Sequence, residues 1–306
     1  MKRRSIRVTE NQAGERLASL VGEAATVSDA DALRLVERGA VYVDGRRCKL
    51  PERPLAAGQA VMVVLEEAGR GALEAAPPAP RLRVLFEDEH LVAIDKAAGV
   101  TAQPTASKEG ASLLDAVSRY LGRPAGLVHR LDKETSGVTV FGKTKAATRA
   151  LAAEFREGRA RKRYLAVTGP GLAERGEITL PLSKDPSRPG RQRASKTANG
   201  VPARTDFTRL FEGLGFCLVA LFPRTGRTHQ LRAHLTALGT PILGDALYGG
   251  AGGAQGLLAG RCLLHAQALL VRHPATADEV LIEAPLPPDL AGFFERAKVA
   301  APHGPF

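Results

Sequence analysis

The sequence predicts an α+β protein in two parts. A small N-terminal α/β module precedes a larger region built on a mixed, largely antiparallel sheet. Strand-like runs outnumber helix-like runs in the larger region and do not alternate strictly as βαβ, which argues against a doubly wound sheet. Residues 66–80, EEAGRGALEAAPPAP, are rich in Ala, Pro, Gly and Glu and read as a partly extended linker. The 306 residues suit two domains at about 150 residues each. The expected organisation is therefore a module over 1–65, a linker over 66–80 and a catalytic-sized region over 81–306.

In the module, Leu17, Leu20 and Val21 have helical spacing. Residues 30–37 form a second short helix, with Ser28 or Asp29 as N-cap and Gly39 as its stop. Residues 40–43 are apolar and β-rich, and Asp44-Gly45 signals a tight hairpin. A turn over 55–58 leads into a strand over 60–65. The predicted order is helix, helix, strand, turn, strand.

Beyond the linker, residues 83–86 and 91–94 are β-prone runs around the polar turn Glu87-Asp88-Glu89-His90, which reads as a hairpin. Residues 138–141 form an apolar strand. Ala147, Leu151 and Phe155 recur at helical spacing in 145–157, which stops at Gly158. Residues 164–167 form a short strand, and 216–222 a longer one broken by 223–227. Leu231, Leu235 and Leu238 make the apolar stripe of another helix, closed by Gly239. Residues 262–271 are a late apolar strand. Residues 249–254 read as a flexible Gly-rich loop without a phosphate-binding role, because no strand and helix frame it. Residues 181–200, PLSKDPSRPGRQRASKTANG, read as a mobile basic loop.

Lys and Arg total 43 against 32 Asp and Glu, a formal charge of +11. This surplus favours a polyanionic partner, nucleic acid before membrane. No run of about 18 apolar residues is present, so no transmembrane helix is expected. The start, MKRRSIRVTENQ, has basic residues but no apolar run, so no secretory signal is expected. Cys48, Cys217 and Cys262 are odd in number and far apart, which argues against a disulfide framework or a zinc ribbon and fits a reducing cytoplasm.

The strongest chemical signal is 127–137, LVHRLDKETSG. Residue by residue it is a polar loop with one carboxylate, Asp132, between Arg130 and Lys133, entering a strand through Ser136-Gly137. A carboxylate among cations is held ionised and can serve as nucleophile or base. A capping or salt-bridge role is the simpler alternative for one such Asp.

The stretch HRLDKETSG is similar to the central motif of the RluA-type pseudouridine synthases. VLFEDEHLVAIDKAAGVTAQPT resembles the family's first motif, RKRYLAVTGP its tyrosine strand, and PRTGRTHQLRAHLTALGTPILGDALYG its third motif. RCLLHAQALLVRHP followed by APLPPDL resembles its closing strand. These motifs occur in order over nearly all of 81–290. Ala97 departs from the proline usual after the motif lysine, with no chemical group lost. In the module, RLVERGAVYVDGRRCKLPERPLAAGQAVMV resembles the S4 RNA-binding module. There Ser28, Asp29 and Asp31 replace the usual basic residues, whereas Arg34, Arg38, Arg46, Arg47 and Lys49 remain.

The resemblance implies a pseudouridine synthase fold and isomerisation of uridine in RNA to pseudouridine, without cofactor or metal. Asp132 corresponds to the catalytic aspartate, either attacking the ribose or removing a ribose proton. Tyr164 corresponds to the tyrosine that stacks on the target base and whose hydroxyl assists proton removal. Arg232 corresponds to the arginine that pairs with the carboxylate, with Arg227 as the alternative. Arg130 corresponds to the residue that fills the gap left by a flipped base. Arg130, His129, Arg227, His229 and Lys162 form the expected substrate-binding set, in which His229 supports its loop and His129 is a local structural residue. His229 and His234 lack a third ligand at recognised spacing, so no metal site is expected.

The implied partner is RNA. Large-subunit ribosomal RNA is expected because an S4-like module precedes the catalytic region, with tRNA the alternative. A non-catalytic RNA-binding assembly factor is the competing class, and a monomer is expected. Two basic sets fit RNA contact: Lys143, Lys145, Arg149, Arg156, Arg159, Arg161, Lys162 and Arg163, and then Lys184, Arg188, Arg191, Arg193 and Lys196.

Overall fold

A computed structural model describes residues 2–37, 39–65, 82–104, 112–195 and 199–300. The chain divides into two compact units, Met1–Ala76 and Pro77–Phe306. The expected linker over 66–80 lies outside the described residues, as do Arg38 of the module and Lys196 of the second basic set.

The first unit runs β1 (Lys2–Arg7), α1 (Leu17–Ala25), α2 (Asp29–Glu37), β2 (Val41–Val43), β3 (Arg46–Cys48) and β4 (Ala60–Leu65). Leu17, Leu20 and Val21 are buried, as their spacing predicts, against Val36, Val41 and Val63. Helix α2 begins one residue earlier than expected, and Ser28 Oγ accepts from Asp31 N at 3.3 Å, which makes Ser28 the capping side chain. Asp44 and Gly45 both have positive φ, 49° and 75°, as a type I′ hairpin turn requires. Strand β1 was not foreseen. It pairs antiparallel with β4 at the edge of a sheet ordered β1-β4-β2-β3. Its sequence, KRRSIR, lacks the apolar alternation of a half-buried strand; charges on an edge strand also oppose pairing with another chain.

The second unit opens with the predicted hairpin, β5 (Val84–Glu87) and β6 (Leu91–Lys96). Asp88 Oδ1 closes its turn by accepting from the backbone N–H of His90 (2.7 Å) and Leu91 (2.9 Å). The chain continues through α3 (Leu113–Tyr120), β7 (Gly126–Leu127), β8 (Ser136–Gly142), α4 (Lys145–Arg156), β9 (Arg161–Thr168) and β10 (Arg175–Ile178). Next come β11 (Leu182–Lys184), β12 (Gln192–Ala194), β13 (Thr205–Gly213), β14 (Phe216–Pro223) and α5 (Gln230–Ala237). Finally come β15 (Gly253–Ala254), β16 (Leu257–Leu258), β17 (Leu264–Arg272), β18 (Glu279–Glu283) and α6 (Pro288–Ala297).

The main sheet is ordered β10-β13-β14-β9-β17-β8-β6-β5, with β18 added to β17 and β7 to β8. Among the described residues its one parallel contact joins β17 to β8, His265 opposite Ser136 and Ala266 opposite Gly137. The fold is thus α+β with a mixed, largely antiparallel sheet, as predicted. Gly137 makes the parallel contact possible. Its φ is +114°, and a Cβ there would stand 2.1 Å from the Ala266 carbonyl oxygen.

Both faces of β6 are covered, which explains its continuous apolar run. Leu91 and Ala93 pack with Leu151 of α4, whereas Val92 and Ile94 pack with Leu113 and Val117 of α3. Beyond β17, Leu231 and Leu235 of α5 and Phe293 and Phe294 of α6 share a core with Phe216 and Leu218. Each such fully buried side chain contributes about 1.5–3 kcal/mol of transfer free energy.

Four expectations need correction. Leu238 is 43% exposed, because α5 ends at Ala237 and only Leu231 and Leu235 face the core. Residues 181–200 are not an irregular loop throughout, since β11 and β12 pair from Leu182 opposite Ala194 to Lys184 opposite Gln192. The Gly-rich loop ends in a strand, β15, paired with β16. The first basic set is not a single free patch. Lys143 Nζ is bound to Glu87 (2.7 Å), Arg159 to Glu154 and Glu157, and Arg163 is 5% exposed.

Candidate active site

The segment between β7 and β8 carries Asp132, and its backbone is tied down on both sides. Leu131 is buried beneath it, and Thr135 N donates to the Asp132 carbonyl at 3.1 Å, forming a tight turn. Lys96, at the end of β6, sends its ammonium into the next carbonyl, Lys133 O (3.0 Å), and also into Ala97 O (3.0 Å) and Val100 O (2.9 Å). Burial pushes the Lys96 ammonium down to about 7, while the charges of Glu134 and Asp132 pull it back up. Arg261 Nη1 donates to Glu134 O (3.1 Å) and Arg261 Nη2 to Ser136 Oγ (3.1 Å), with Asp289 on its other edge. Ser136 Oγ also meets His265 Nδ1 at 3.0 Å, and burial pushes that histidine down to about 4.

Above this turn lies a cleft of about 490 Å³. Asp132, Tyr164 and Arg232 line it, and so do Arg130, His129, Arg227, His229 and Lys162. The structure therefore brings together all eight residues singled out from the sequence. They come from four places: the Asp132 segment, β9, the break after β14, and α5.

The groups that approach the Asp132 carboxylate are not the flanking Arg130 and Lys133 that the sequence suggests. They come from α5: Arg232 Nη1 donates to Asp132 Oδ2 at 3.3 Å, and His229 Nε2 lies 3.9 Å from the same oxygen. The main partner of Arg232 is a residue not singled out beforehand. Asp245 takes Arg232 Nε at 2.7 Å and Nη2 at 2.8 Å, a buried two-point pair that leaves Nη1 for Asp132. Burial opposes the Arg232 charge, but Asp245 and then Asp132 outweigh it and push its pKa up.

His229 stands at the start of α5 with φ +54°, its Nδ1 3.2 Å from the Tyr248 hydroxyl. Burial holds its pKa below the ordinary histidine value, against the upward pull of Asp132. His234 turns elsewhere, to Thr205 Oγ1 (2.9 Å) and the Leu180 carbonyl (2.9 Å). Among the described residues no group of three His, Cys, Asp or Glu side chains is placed to hold a metal ion.

Tyr164 projects from β9, and burial followed by the Asp132 charge pushes its hydroxyl pKa up, so it stays a neutral phenol at physiological pH. Lys162, on the same strand, is half-buried. Its Nζ reaches the Thr225 carbonyl only at 3.5 Å, and burial pushes it down to about 8. His129 Nε2 accepts from Val140 N at 3.0 Å while the ring stacks on Phe155 at 4.3 Å. The first contact requires an unprotonated Nε2, the stack fixes the ring's orientation, and burial pushes its pKa to about 3. Arg130 is exposed and touches Thr228 Oγ1 (3.3 Å), and Arg227 is exposed with Nε on the Pro202 carbonyl (3.2 Å).

Gln230 also escaped sequence reading. Its amide oxygen accepts from Thr225 Oγ1 (2.7 Å) and Arg227 N (3.0 Å), and its amide nitrogen donates to Arg204 O and Thr205 Oγ1 (3.0 Å each). It fastens the loop 225–227 to the start of β13. No polar spacing marked it. The signal was only its place inside the third motif, which also contains Asp245 and Tyr248.

The sequence profile described as RNA pseudouridylate synthase matches residues 90–237. Among curated proteins, the ribosomal large subunit pseudouridine synthase D of Nitrosomonas europaea is 32% identical over 85% of this chain and 77% of its own length. The dual-specificity RNA pseudouridine synthase RluA of Escherichia coli is 39% identical over 68% of this chain and 95% of its own length. The solved structure of human RNA pseudouridylate synthase domain containing 4 is 28% identical, with a TM-score of 0.58 over 72% of this chain and 94% of that one. With that identity and coverage, the chain belongs to the RluA-type RNA pseudouridine synthase family.

Proposed function

We propose that Asp132 is the carboxylate that acts on the ribose of a uridine flipped into the cleft, and that the product is pseudouridine in ribosomal RNA. The observation that carries this reading is the position of Asp132 Oδ2, 3.3 Å from Arg232, in a cleft that Tyr164 also lines and that is large enough for a nucleoside. The reaction breaks the bond from N1 to the ribose and forms one from C5, releasing the C5 proton while N1 gains one. No atom is lost from the substrate, so no donor is required.

Arg232 orients the carboxylate through the 3.3 Å contact of Nη1 with Oδ2. Tyr164 offers a ring on which uracil stacks; as a neutral phenol it acts through its ring and not as a phenolate base. Arg130, exposed at the cleft mouth, enters the gap left by the flipped base and offsets part of an unstacking cost of a few kcal/mol. Lys162 and Arg227 take backbone phosphates. Among charged groups on the cleft wall, Lys162 is suited to this because its ammonium has only one long contact of its own. His229 and His129 hold the loops.

The substrate class rests on the N-terminal unit, which we read as an S4-like RNA-binding module over 1–65, joined by a linker over 66–80 to the catalytic region over 81–306. Alignment to the large-subunit enzyme covers 85% of the chain. The unit Pro77–Phe306 is three quarters of it, so that alignment reaches into the module. The helix pair, the hairpin and the exposed Arg34, Arg47 and Lys49 support an RNA-facing surface. We further propose that the chain acts as a monomer in the cytoplasm. No described helix is long and apolar enough to cross a membrane.

Pseudouridine mapping by carbodiimide modification and primer extension tests the reading in cells with and without the gene. One or a few positions in large-subunit ribosomal RNA should lose their signal, and wild type but not Asp132→Asn should restore it. Loss confined to tRNA would overturn the substrate assignment, and no loss at all would overturn the catalytic one.

A further inference from the structure

The segment that supplies Asp245 to Arg232 also supplies an aromatic ring. Tyr248 is 3% exposed, and the guanidinium groups of Arg232 and Arg191 each stand 4.9 Å from its ring centroid. Its hydroxyl accepts from Gln192 N at 2.8 Å and faces His229 Nδ1 at 3.2 Å. Having accepted from Gln192, the hydroxyl has its own proton to give to Nδ1. A neutral His229 then carries its proton on Nε2, the nitrogen nearest Asp132.

Arg191 and Gln192 belong to the hairpin of β11 and β12. The base of that hairpin packs on the same helix that carries Arg232: Leu182 and Ala194 share a small core with Tyr248 and with Ala233 of α5. Its outer part presents Lys184, Arg188 and Arg193 to solvent. Arg191 differs from these three. It is turned inward over Tyr248, with Nε 3.6 Å from Asp185 Oδ2, and its side chain is 20% exposed.

We propose that Tyr248 is a positioning residue that couples the hairpin to the Asp132–Arg232 pair, so that seating the hairpin on RNA sets the geometry of the catalytic carboxylate. The inference rests on the roles given above to Asp132 and Arg232. Two contacts from the hairpin, the Arg191 guanidinium and the Gln192 N–H, fix the ring and hydroxyl of Tyr248. Tyr248 in turn fixes the face of Arg232 and the Nδ1 side of His229, the two groups that meet Asp132. Phosphates drawn to Lys184, Arg188 and Arg193 act on the outer end of this chain of contacts. Displacing a reacting group by about 1 Å can cost a hundredfold in rate, so a small shift at the ring is enough to be read at Asp132.

The test is a double-mutant cycle on the full-length chain. The substrate is a transcript of large-subunit ribosomal RNA with tritium at uridine C5. The readouts are the single-turnover release rate at saturating enzyme and the affinity by filter binding. Arg191→Ala should slow the saturated rate about tenfold with less than threefold change in affinity, and Tyr248→Leu should do the same. The double variant should be no slower than the slower single one. Arg191→Lys, which keeps charge but not the planar stack, should not restore the rate. Lys184→Ala removes one phosphate contact from the outer end of the hairpin and should weaken affinity.

Tyr248→Phe keeps the ring and removes both hydroxyl contacts. It should melt like wild type and shift the pH dependence of the rate through His229. Effects of Arg191→Ala and Tyr248→Leu that multiply, or an Arg191→Ala variant changed only in affinity, would overturn the coupling. If wild type leaves this transcript unmodified, the substrate assignment fails, and the same cycle is read on labelled tRNA transcripts. Wild-type turnover with an inert Asp132→Asn upholds the catalytic reading whichever way the cycle falls.

Discussion

Lys96 and Arg261 hold adjacent carbonyls of the turn that presents Asp132, Lys96 Nζ on Lys133 O at 3.0 Å and Arg261 Nη1 on Glu134 O at 3.1 Å. The two cations lie far apart in the sequence, at the end of β6 and before β17. Hydrogen bonds from charged donors are about twice as strong as neutral ones, so this stretch of backbone is fixed more firmly than an ordinary loop. Neither cation reaches the cleft, since neither is among its lining residues.

Lys96→Met should therefore damage turnover more than stability. The substitution keeps the length of the stem and removes the desolvated charge, which offsets part of the cost of about 1–3 kcal/mol for each buried carbonyl left without its donor. The expected outcome is a fall in kcat of about tenfold or more with KM nearly unchanged, because about 1 Å of misplacement suffices for such a loss. Thermal melts and steady-state kinetics on the same preparation check it. A matched loss of stability with unchanged kcat would make Lys96 a packing residue only.

Asp245→Asn should behave differently. It takes the charged partner from Arg232, which is 7% exposed, and breaking a buried pair costs about 3–5 kcal/mol. The freed guanidinium is no longer held with Nη1 toward Asp132. Lowered denaturation midpoint and lowered kcat should thus appear together, measured by urea unfolding and tritium release.

Tyr164→Phe and Tyr164→Leu separate the ring from the hydroxyl. Burial keeps the hydroxyl protonated, so losing it should cost only a few-fold in rate. Losing the ring should cost about 1–3 kcal/mol of stacking, roughly a five- to hundredfold fall in kcat/KM. A loss for Phe as large as that for Leu would return the hydroxyl to a direct part in the chemistry.

His129 sets a pH dependence of stability. Its folded value is about 3 against an ordinary 6.5. Between those values the unfolded chain binds a proton that the folded chain does not. Its contribution is therefore complete above about pH 6.5 and is lost toward pH 3, at about 1.4 kcal/mol per pH unit. His265, at about 4, adds a loss of the same sign over the upper part of that window. His129→Gln keeps an acceptor for Val140 N but does not titrate, so its urea midpoint should fall less steeply between pH 6.5 and 4.5 than that of wild type. Parallel slopes would contradict a neutral, buried His129.

Much of this was legible in the sequence, and the parts that were not have physical causes. The helices α1, α2, α4 and α5 and the strands β2, β4, β6, β8 and β14 follow from spacing and turn chemistry. Strand β1 was missed because an edge strand of mostly charged residues carries no apolar pattern. Strand β13 was missed because a register shift between Arg209 and Phe211 breaks its alternation. The eight cleft residues lie in contiguous motifs, which made them findable. Asp245 and Tyr248 sit in the same motif, but their importance comes from contacts with Arg232, Arg191 and His229 that only the folded chain makes. The flanking charges of Asp132 misled for the same reason: the contacts to its carboxylate come from Arg232 and His229, distant in the chain, and not from Arg130 and Lys133.

The most direct test of the central claim is tritium release from C5-labelled ribosomal RNA by purified Asp132→Asn beside wild type, with affinity measured on the same RNA. The account predicts no release by the variant above background and an affinity within about threefold of wild type, because the phosphate contacts remain. Substantial release by Asp132→Asn would contradict it.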